Sequence, residues 1–208
     1  MAKRQACRES FSAMPLETER TIVRPMCADD FPAILAWPPY PWPCEQLGMT
    51  QTGKPEADGR LWWQRFDAPD RRHYTVLLGN THEIIGVYAF VGIKWDEGLV
   101  RNMGIRFRPD CCGRGYGQET FRPLIETLFA QGIRLIRLDV AAANERAWRC
   151  YQKCGFRITG EFWDEHHGGE VDPADPKKAF ALPHFKREDG QRRARFYWME
   201  IEAPGSAS

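Results

Sequence analysis

This sequence lacks an excess of charge of either sign: 29 Lys and Arg stand against 28 Asp and Glu, a formal net charge of +1. So balanced a chain has no overall basic field for nucleic acid. Nor has it the acidic excess of a chain kept solvated and unfolded. Long apolar runs are also missing. The longest, such as EIIGVYAFVGI from residue 83, are too short to cross a bilayer, so no membrane partner is expected. The opening MAKRQACRES carries basic residues with no apolar stretch behind them, which speaks against a secretory signal. Seven cysteines, an odd number without CxxC spacing, argue against a disulfide framework and predict reduced thiols in a cytoplasmic protein. Adjacent Cys111 and Cys112 cannot bond each other without strain. No Cys/His cluster has zinc spacing, and His166 and His167 in DEHHGG read as neighbours in a solvated loop, so no metal site is expected.

What is present suits one decorated domain. Hydrophobic residues make up 43% of 208, enough for a core. Residues 1–16 read as a flexible tail, 17–203 as the domain and 204–208 as a second tail. RTIVRPM (20–26) alternates like a strand. CADDFPAILAW then predicts a short helix, with Asp29 or Asp30 as cap and Pro32 in its first turn. PPYPWPC (38–44) excludes helix and central strand, and residues 59–67 predict a second short helix. Three strands follow as a meander, at 73–79, 83–93 and 99–107. After a glycine-rich segment come a helix over 118–132, with Pro123 near its first turns and Gly132 as its stop, and a strand over 133–140. Asn144 and Gly155 bracket another helix as N-cap and C′ residue. FRITGEFW and RARFYWMEIE (193–202) are the last strands, separated by a long insert, 163–195. This order predicts an α/β fold: a mixed, mostly antiparallel central sheet with helices on both faces.

The segment CCGRGYGQE (111–119) carries the chemistry. A glycine loop between strand and helix aims unpaired amides and the positive helix end at one point, which suits phosphate. Glycine permits the close approach and the unusual φ, and Arg114 adds a charge-assisted donor. The third glycine comes one place too early for the dinucleotide fingerprint GxGxxG. GMTQTGKP (48–55) imitates a P-loop, but Pro55 has no hydroxyl for a metal ion. A plain structural turn remains the alternative.

GIRFRPDCCGRGYGQE resembles the acyl-CoA-binding segment of the GNAT superfamily of N-acetyltransferases, and VAAANERAWRCYQKCGF resembles that family's second segment. The matching positions of the latter are Val140, Asn144, Ala147, Tyr151, Lys153, Gly155 and Phe156, and the two segments fall at the family's usual separation. EIIGVYAF looks like the family's third strand. The overall look is closest to the ribosomal-protein-alanine acetyltransferase (RimJ/RimL-like) branch. The resemblance implies the GNAT fold, splayed between its fourth and fifth strands, here 99–107 and 133–140.

It further implies acetyl-CoA, or another short acyl-CoA, as co-substrate, and direct transfer to a primary amine on a small molecule or a protein N-terminus. A homodimer is compatible with it. The pyrophosphate would lie over Gly113, Arg114, Gly115, Tyr116, Gly117 and Gln118. Backbone groups of Ile105, Arg106 and Phe107 would hold the pantetheine arm, and the Ile105 amide would polarise the thioester carbonyl. Cys112 stands where the family usually has Arg or Gln. Tyr151 would be the general acid and Asn144 a coenzyme contact. From the residues alone, Tyr151 reads first as a core aromatic whose hydroxyl finds a partner, and Asn144 as a plain cap. Asn144, Ala147/Trp148 and Tyr151 share one helix face. The general base is open among Asp96, Glu97, Asp139 and Glu161. Trp37, Tyr40, Trp42, Trp62 and Trp63 offer either an acceptor wall or a cover for the core. A non-catalytic acyl-CoA-binding or sensor module on the same fold is the alternative reading.

Overall fold

The structure, a computed structural model, describes residues 15–41, 68–165 and 179–205. The helix expected over 59–67, the residues Trp42, Trp62 and Trp63, His166 and His167, and most of both tails lie outside the described residues.

Among the described residues nine strands form one sheet: β1 (Leu16–Glu17), β2 (Thr21–Pro25), β3 (Arg71–Leu78), β4 (Ile84–Lys94), β5 (Leu99–Phe107), β6 (Leu135–Ala141), β7 (Arg157–Glu165), β8 (Phe185–Glu188) and β9 (Gln191–Glu202). The order is β1-β2-β3-β4-β5-β6-β9-β7, and β8 pairs with the first residues of β9. Every pairing is antiparallel except β5 with β6, so the expected mixed sheet is observed. The edge strand β1 lies where the tail was expected to end. Within the expected insert, 163–195, Trp163–Glu165 completes β7, and β8 turns through Asp189 and Gly190 into β9.

Among the described residues three α-helices cover the sheet: α1 (Phe31–Leu35), α2 (Tyr116–Ala130) and α3 (Glu145–Lys153). On one face α1 buries Phe31, Ile34 and Leu35 against Ile84 and Val87. On the other, α2 buries Phe121, Leu124, Ile125 and Leu128, an i, i+3, i+4, i+7 stripe, against Tyr88, Phe90, Ile136, Leu138 and Met199. α2 starts two residues earlier than its sequence pattern suggests, at Tyr116, so Pro123 falls inside the helix rather than near its first turns.

Both long helices stop at glycines in the left-handed region, Gly132 (φ 94°) and Gly155 (φ 104°). In α3 the Phe156 amide reaches back to the Tyr151 carbonyl at 3.0 Å and the Gly155 amide to that of Gln152 at 2.9 Å. This double bond pattern closes a helix and brings the residue beyond the glycine onto the last turn. Phe156 accordingly packs on Tyr151, ring centroids 5.8 Å apart. The stop signal of α3 thus fixes the ring of Tyr151.

Candidate active site

The sheet opens where the resemblance implies. β5 and β6 pair only at Leu99–Leu135 and Val100–Ile136, while β5 stays on β4 as far as Phe107 and β6 stays on β9 as far as Ala141. Beyond Val100 the edge of β5 is left without its ladder on that side. Backbone direction then follows from parity. The Arg108 amide donates to the Ile85 carbonyl at 2.8 Å, and in an antiparallel pair alternate residues face the partner. Arg106 therefore turns its own amide and carbonyl toward β4, and Ile105 and Phe107 turn theirs into the opening. This corrects the expectation that all three backbones line it. The Phe107 carbonyl accepts from the Tyr40 hydroxyl at 2.8 Å and from the Cys112 thiol at 3.5 Å.

Tyr40 is buried and Trp37 packs against the α1 cluster, so these two aromatics cover core. The Arg106 side chain is also largely buried, which lowers its guanidinium pKa, with Tyr40 beside it acting in the opposite direction.

Tyr151 reaches the opening from α3. Its side chain is only 4% exposed, between Phe121 and Phe156. Burial pushes the phenol far above its ordinary range, and the neighbourhood of Cys150, Asp139 and Cys154 pushes the same way. The Ile105 amide, turned into the same opening, is near enough to oppose slightly the rise of its pKa. Tyr151 therefore holds its proton at any ordinary pH and can give it to an anion forming beside it.

Across the gap, Asn102 on β5 donates to Asp139 on β6 at 2.8 Å. Partial burial raises the Asp139 carboxyl above its ordinary value; the Asn102 bond opposes the shift and the charge of Asp164 adds to it. The other carboxylates considered lie elsewhere. Glu97 pairs with Lys94 and Asp96 sits in the same turn, where the sheet is closed. Glu161 pairs with Arg195 at 3.6 Å. Neither Asn102 nor Asp164 was singled out by sequence, since nothing local marks a residue that meets its partner only through sheet register.

The glycine loop sits beside this opening. Gly113 (φ 77°) and Gly115 (φ 87°) are left-handed, and Gly115 is the N-cap of α2. A Cβ built on Gly113 would meet no atom within 4 Å, so that side of the loop is open. The amides of Gln118 and Glu119 fold back on the Gly115 carbonyl at 3.1 and 3.2 Å. Among the described residues, those of Gly113, Arg114, Gly115, Tyr116 and Gly117 donate to no backbone carbonyl. These convergent donors at the start of a 15-residue helix fit a phosphate group. Cys112 points its thiol back to the carbonyls of Phe107 and Arg108. Burial raises its pKa, so it is a protonated donor that closes the loop rather than a nucleophile. Asn144 caps α3, its side chain accepting from the Ala147 amide at 3.3 Å. Among the described residues no group of His, Cys, Asp or Glu is arranged to hold a metal ion, and no helix is long and apolar enough to cross a membrane.

Solved structures share this architecture. Ribosomal-protein-S5-alanine acetyltransferase from Vibrio fischeri superposes with a TM-score of 0.63 at 14% identity, covering 94% of this chain and 100% of that one. Spermidine/spermine N-acetyltransferase SpeG from Vibrio cholerae gives 0.62 at 16%, covering 88% and 92%. At such identities the likeness is one of fold. Aminoglycoside N(6′)-acetyltransferase type 1 of Klebsiella pneumoniae is 26% identical over 117 residues, 56% of this chain and 44% of that protein. L-methionine sulfoximine/L-methionine sulfone acetyltransferase of Pseudomonas paraeruginosa is 26% identical over 109 residues, 50% of this chain and 62% of that protein. The chain thus spans about half the length of the curated relatives it matches. The family model described as an acetyltransferase (GNAT) domain matches residues 20–157, most of the chain and every element around the opening. The chain belongs to the GNAT acetyltransferase family.

Proposed function

We propose that the protein is an acyl-CoA-dependent N-acyltransferase that moves an acetyl group from acetyl-CoA to a primary amine by direct attack. The observation that carries this reading is that the split sheet turns the Ile105 amide into the same gap that the buried Tyr151 side chain reaches. One backbone donor and one neutral acid converge there, beside a loop of unspent amides. A sensor module would need the loop but not the acid.

The loop amides of residues 113–117 and the side chain of Arg114 would hold the pyrophosphate, Ile105 and Phe107 would align the pantetheine arm, and Asn144 would flank it. The coenzyme supplies an activated acyl thioester. The Ile105 amide would stabilise negative charge growing on the acyl oxygen. Asp139, oriented by Asn102, would take a proton from the incoming amine; its raised pKa brings it closer to the working pH, as a general base requires. Tyr151 would return a proton to the leaving sulfur.

The acceptor would enter on the face of Asn102, Gly104 and Asp139, opposite α2 and α3. A Cβ built on Gly104 meets nothing within 4 Å, so there is room at that point. The names of the relatives (aminoglycoside, spermidine, an amino-acid analogue) support a small amine as readily as a protein N-terminus. The test is release of free CoA from acetyl-CoA across a panel of aminoglycosides, polyamines, amino acids and peptides. Turnover with one class is expected. Tight acetyl-CoA binding with no turnover on any class would favour the sensor reading.

A further inference from the structure

Glu119 poses a problem for a phosphate-binding helix. It lies in the first turn of α2, where a carboxylate suits the helix dipole but opposes a second anion at the same end. The structure answers with Arg20, in the turn between β1 and β2. Its Nη2 and Nε lie 2.6 and 2.7 Å from Glu119 Oε2, and its backbone amide donates to Oε1 at 2.9 Å. The Thr18 hydroxyl donates to the same Oε1 at 2.6 Å, and Thr21 lies at 3.4 Å.

The same guanidinium extends under the glycine loop. Nη1 donates to the Arg114 carbonyl at 3.2 Å, and Cζ lies 4.5 Å from the centre of the Tyr116 ring. A Cβ on Gly115 would come within 3.4 Å of Nη2. Arg20 thus contacts or crowds three consecutive residues of the loop while pairing with the Glu119 carboxylate.

Resting on the coenzyme reading above, we infer that Arg20 and Glu119 form a latch that sets the phosphate loop for the acyl-CoA pyrophosphate. Arg20 is a positioning residue. By turning the Arg114 carbonyl down, it leaves the loop amides facing out, and by cancelling the Glu119 charge it removes the repulsion a pyrophosphate would otherwise meet. Opposite charges at one site give the idea a sign. Removal of Arg20 alone bares a carboxylate under the loop; removal of both does not.

The experiment is calorimetric titration of the full chain with acetyl-CoA and with S-acetylpantetheine, which keeps the thioester arm but has no pyrophosphate. Arg20→Ala is expected to weaken acetyl-CoA binding about tenfold or more, the scale of one charge-assisted hydrogen bond. It should leave S-acetylpantetheine binding as in the wild type. Arg20→Lys should recover part of the loss, and the Arg20→Ala/Glu119→Gln pair should bind acetyl-CoA more tightly than Arg20→Ala. Melting temperatures of each variant separate a local effect from unfolding. Equal acetyl-CoA affinity in wild type and Arg20→Ala overturns the latch, as does an equal loss on both ligands. If the wild type takes up no acetyl-CoA, the coenzyme reading itself fails and the latch falls with it.

Discussion

The backbone amide of Ile105 and the side chain of Tyr151 face the same gap between β5 and β6. In a continuous parallel sheet that amide would bond a carbonyl of β6. Here the strands part after Val100, and the Ile105 amide is left facing the gap with the Tyr151 side chain from α3 close by. An amide freed in this way can donate to another oxygen when one is offered. Tyr151→Phe keeps the ring between Phe121 and Phe156 and removes only the acid. It should lower kcat by about a hundredfold or more, the usual worth of a general acid. Acetyl-CoA affinity by titration should stay within about twofold. Full activity in Tyr151→Phe would remove Tyr151 from the mechanism.

Asp139 and Asn102 make a second test, read from pH dependence. The Asn102 bond favours the charged carboxylate and holds the Asp139 pKa down against burial and Asp164. Asn102→Ala removes that restraint, so the pKa rises. A base works only when deprotonated, so the acid limb of kcat/KM should move to higher pH while the plateau changes less. Asp139→Asn should abolish that limb together with most of the rate. An acid limb that stays in place in Asn102→Ala would assign the base elsewhere.

In the proposed arrangement the open space over Gly104 lies on the acceptor's side of the sheet and away from the coenzyme. Gly104 shares its face with Asn102 and has ordinary negative φ, so a side chain there is not strained. Gly104→Val should raise KM for the amine by about tenfold or more and leave acetyl-CoA binding near wild type, since the coenzyme is read on the other face. Stability should hold or rise, because valine suits a strand better than glycine. Equal weakening of both substrates would show that the two do not approach from opposite faces.

Much of this site could be read in the chain because it is written locally. The glycines before α2, the Asn144 cap and the Gly155 stop act on their nearest neighbours, and a stop glycine followed by Phe156 already implies a packed Tyr151. What escaped reading depends on long-range register. That Ile105 and Phe107, but not Arg106, face the opening is a matter of parity set by the β4 pairing. Arg20 and Glu119 are 99 residues apart, and a lone arginine carries no mark of its partner. Tyr40, in a proline-rich segment, leaves open whether it walls an acceptor or covers the core; its bond to the Phe107 carbonyl, 67 residues on, is visible only in the fold. Pro123 inside α2 shows how an early start, two residues before Gln118, shifts every later position.

Acid should weaken the fold through His73. This residue lies on β3 beside Arg71 and Arg72, and burial, with both arginines acting the same way, lowers its pKa to about 4. In the unfolded chain it returns to about 6.5. Between those values the unfolded state binds a proton that the folded state refuses, so stability falls as pH drops from 6.5 toward 4. The loss cannot exceed about 1.4 kcal/mol per pH unit for one proton. His184, lowered by burial and Arg195, adds in the same sense. Asp139, held above its ordinary value, works the other way at the foot of the window. Asp30, lowered by Arg24 and Thr75 against its own burial, and Glu119, lowered by Thr18 and Arg20 against its own burial, lose their contributions only below the ordinary carboxylate range. Urea unfolding of wild type and His73→Gln at several pH values isolates the term, since the other groups are common to both. The difference in slope between the two proteins should be confined to the interval from about 4 to 6.5. Parallel profiles would mean that His73 takes up its proton without unfolding the strand around it.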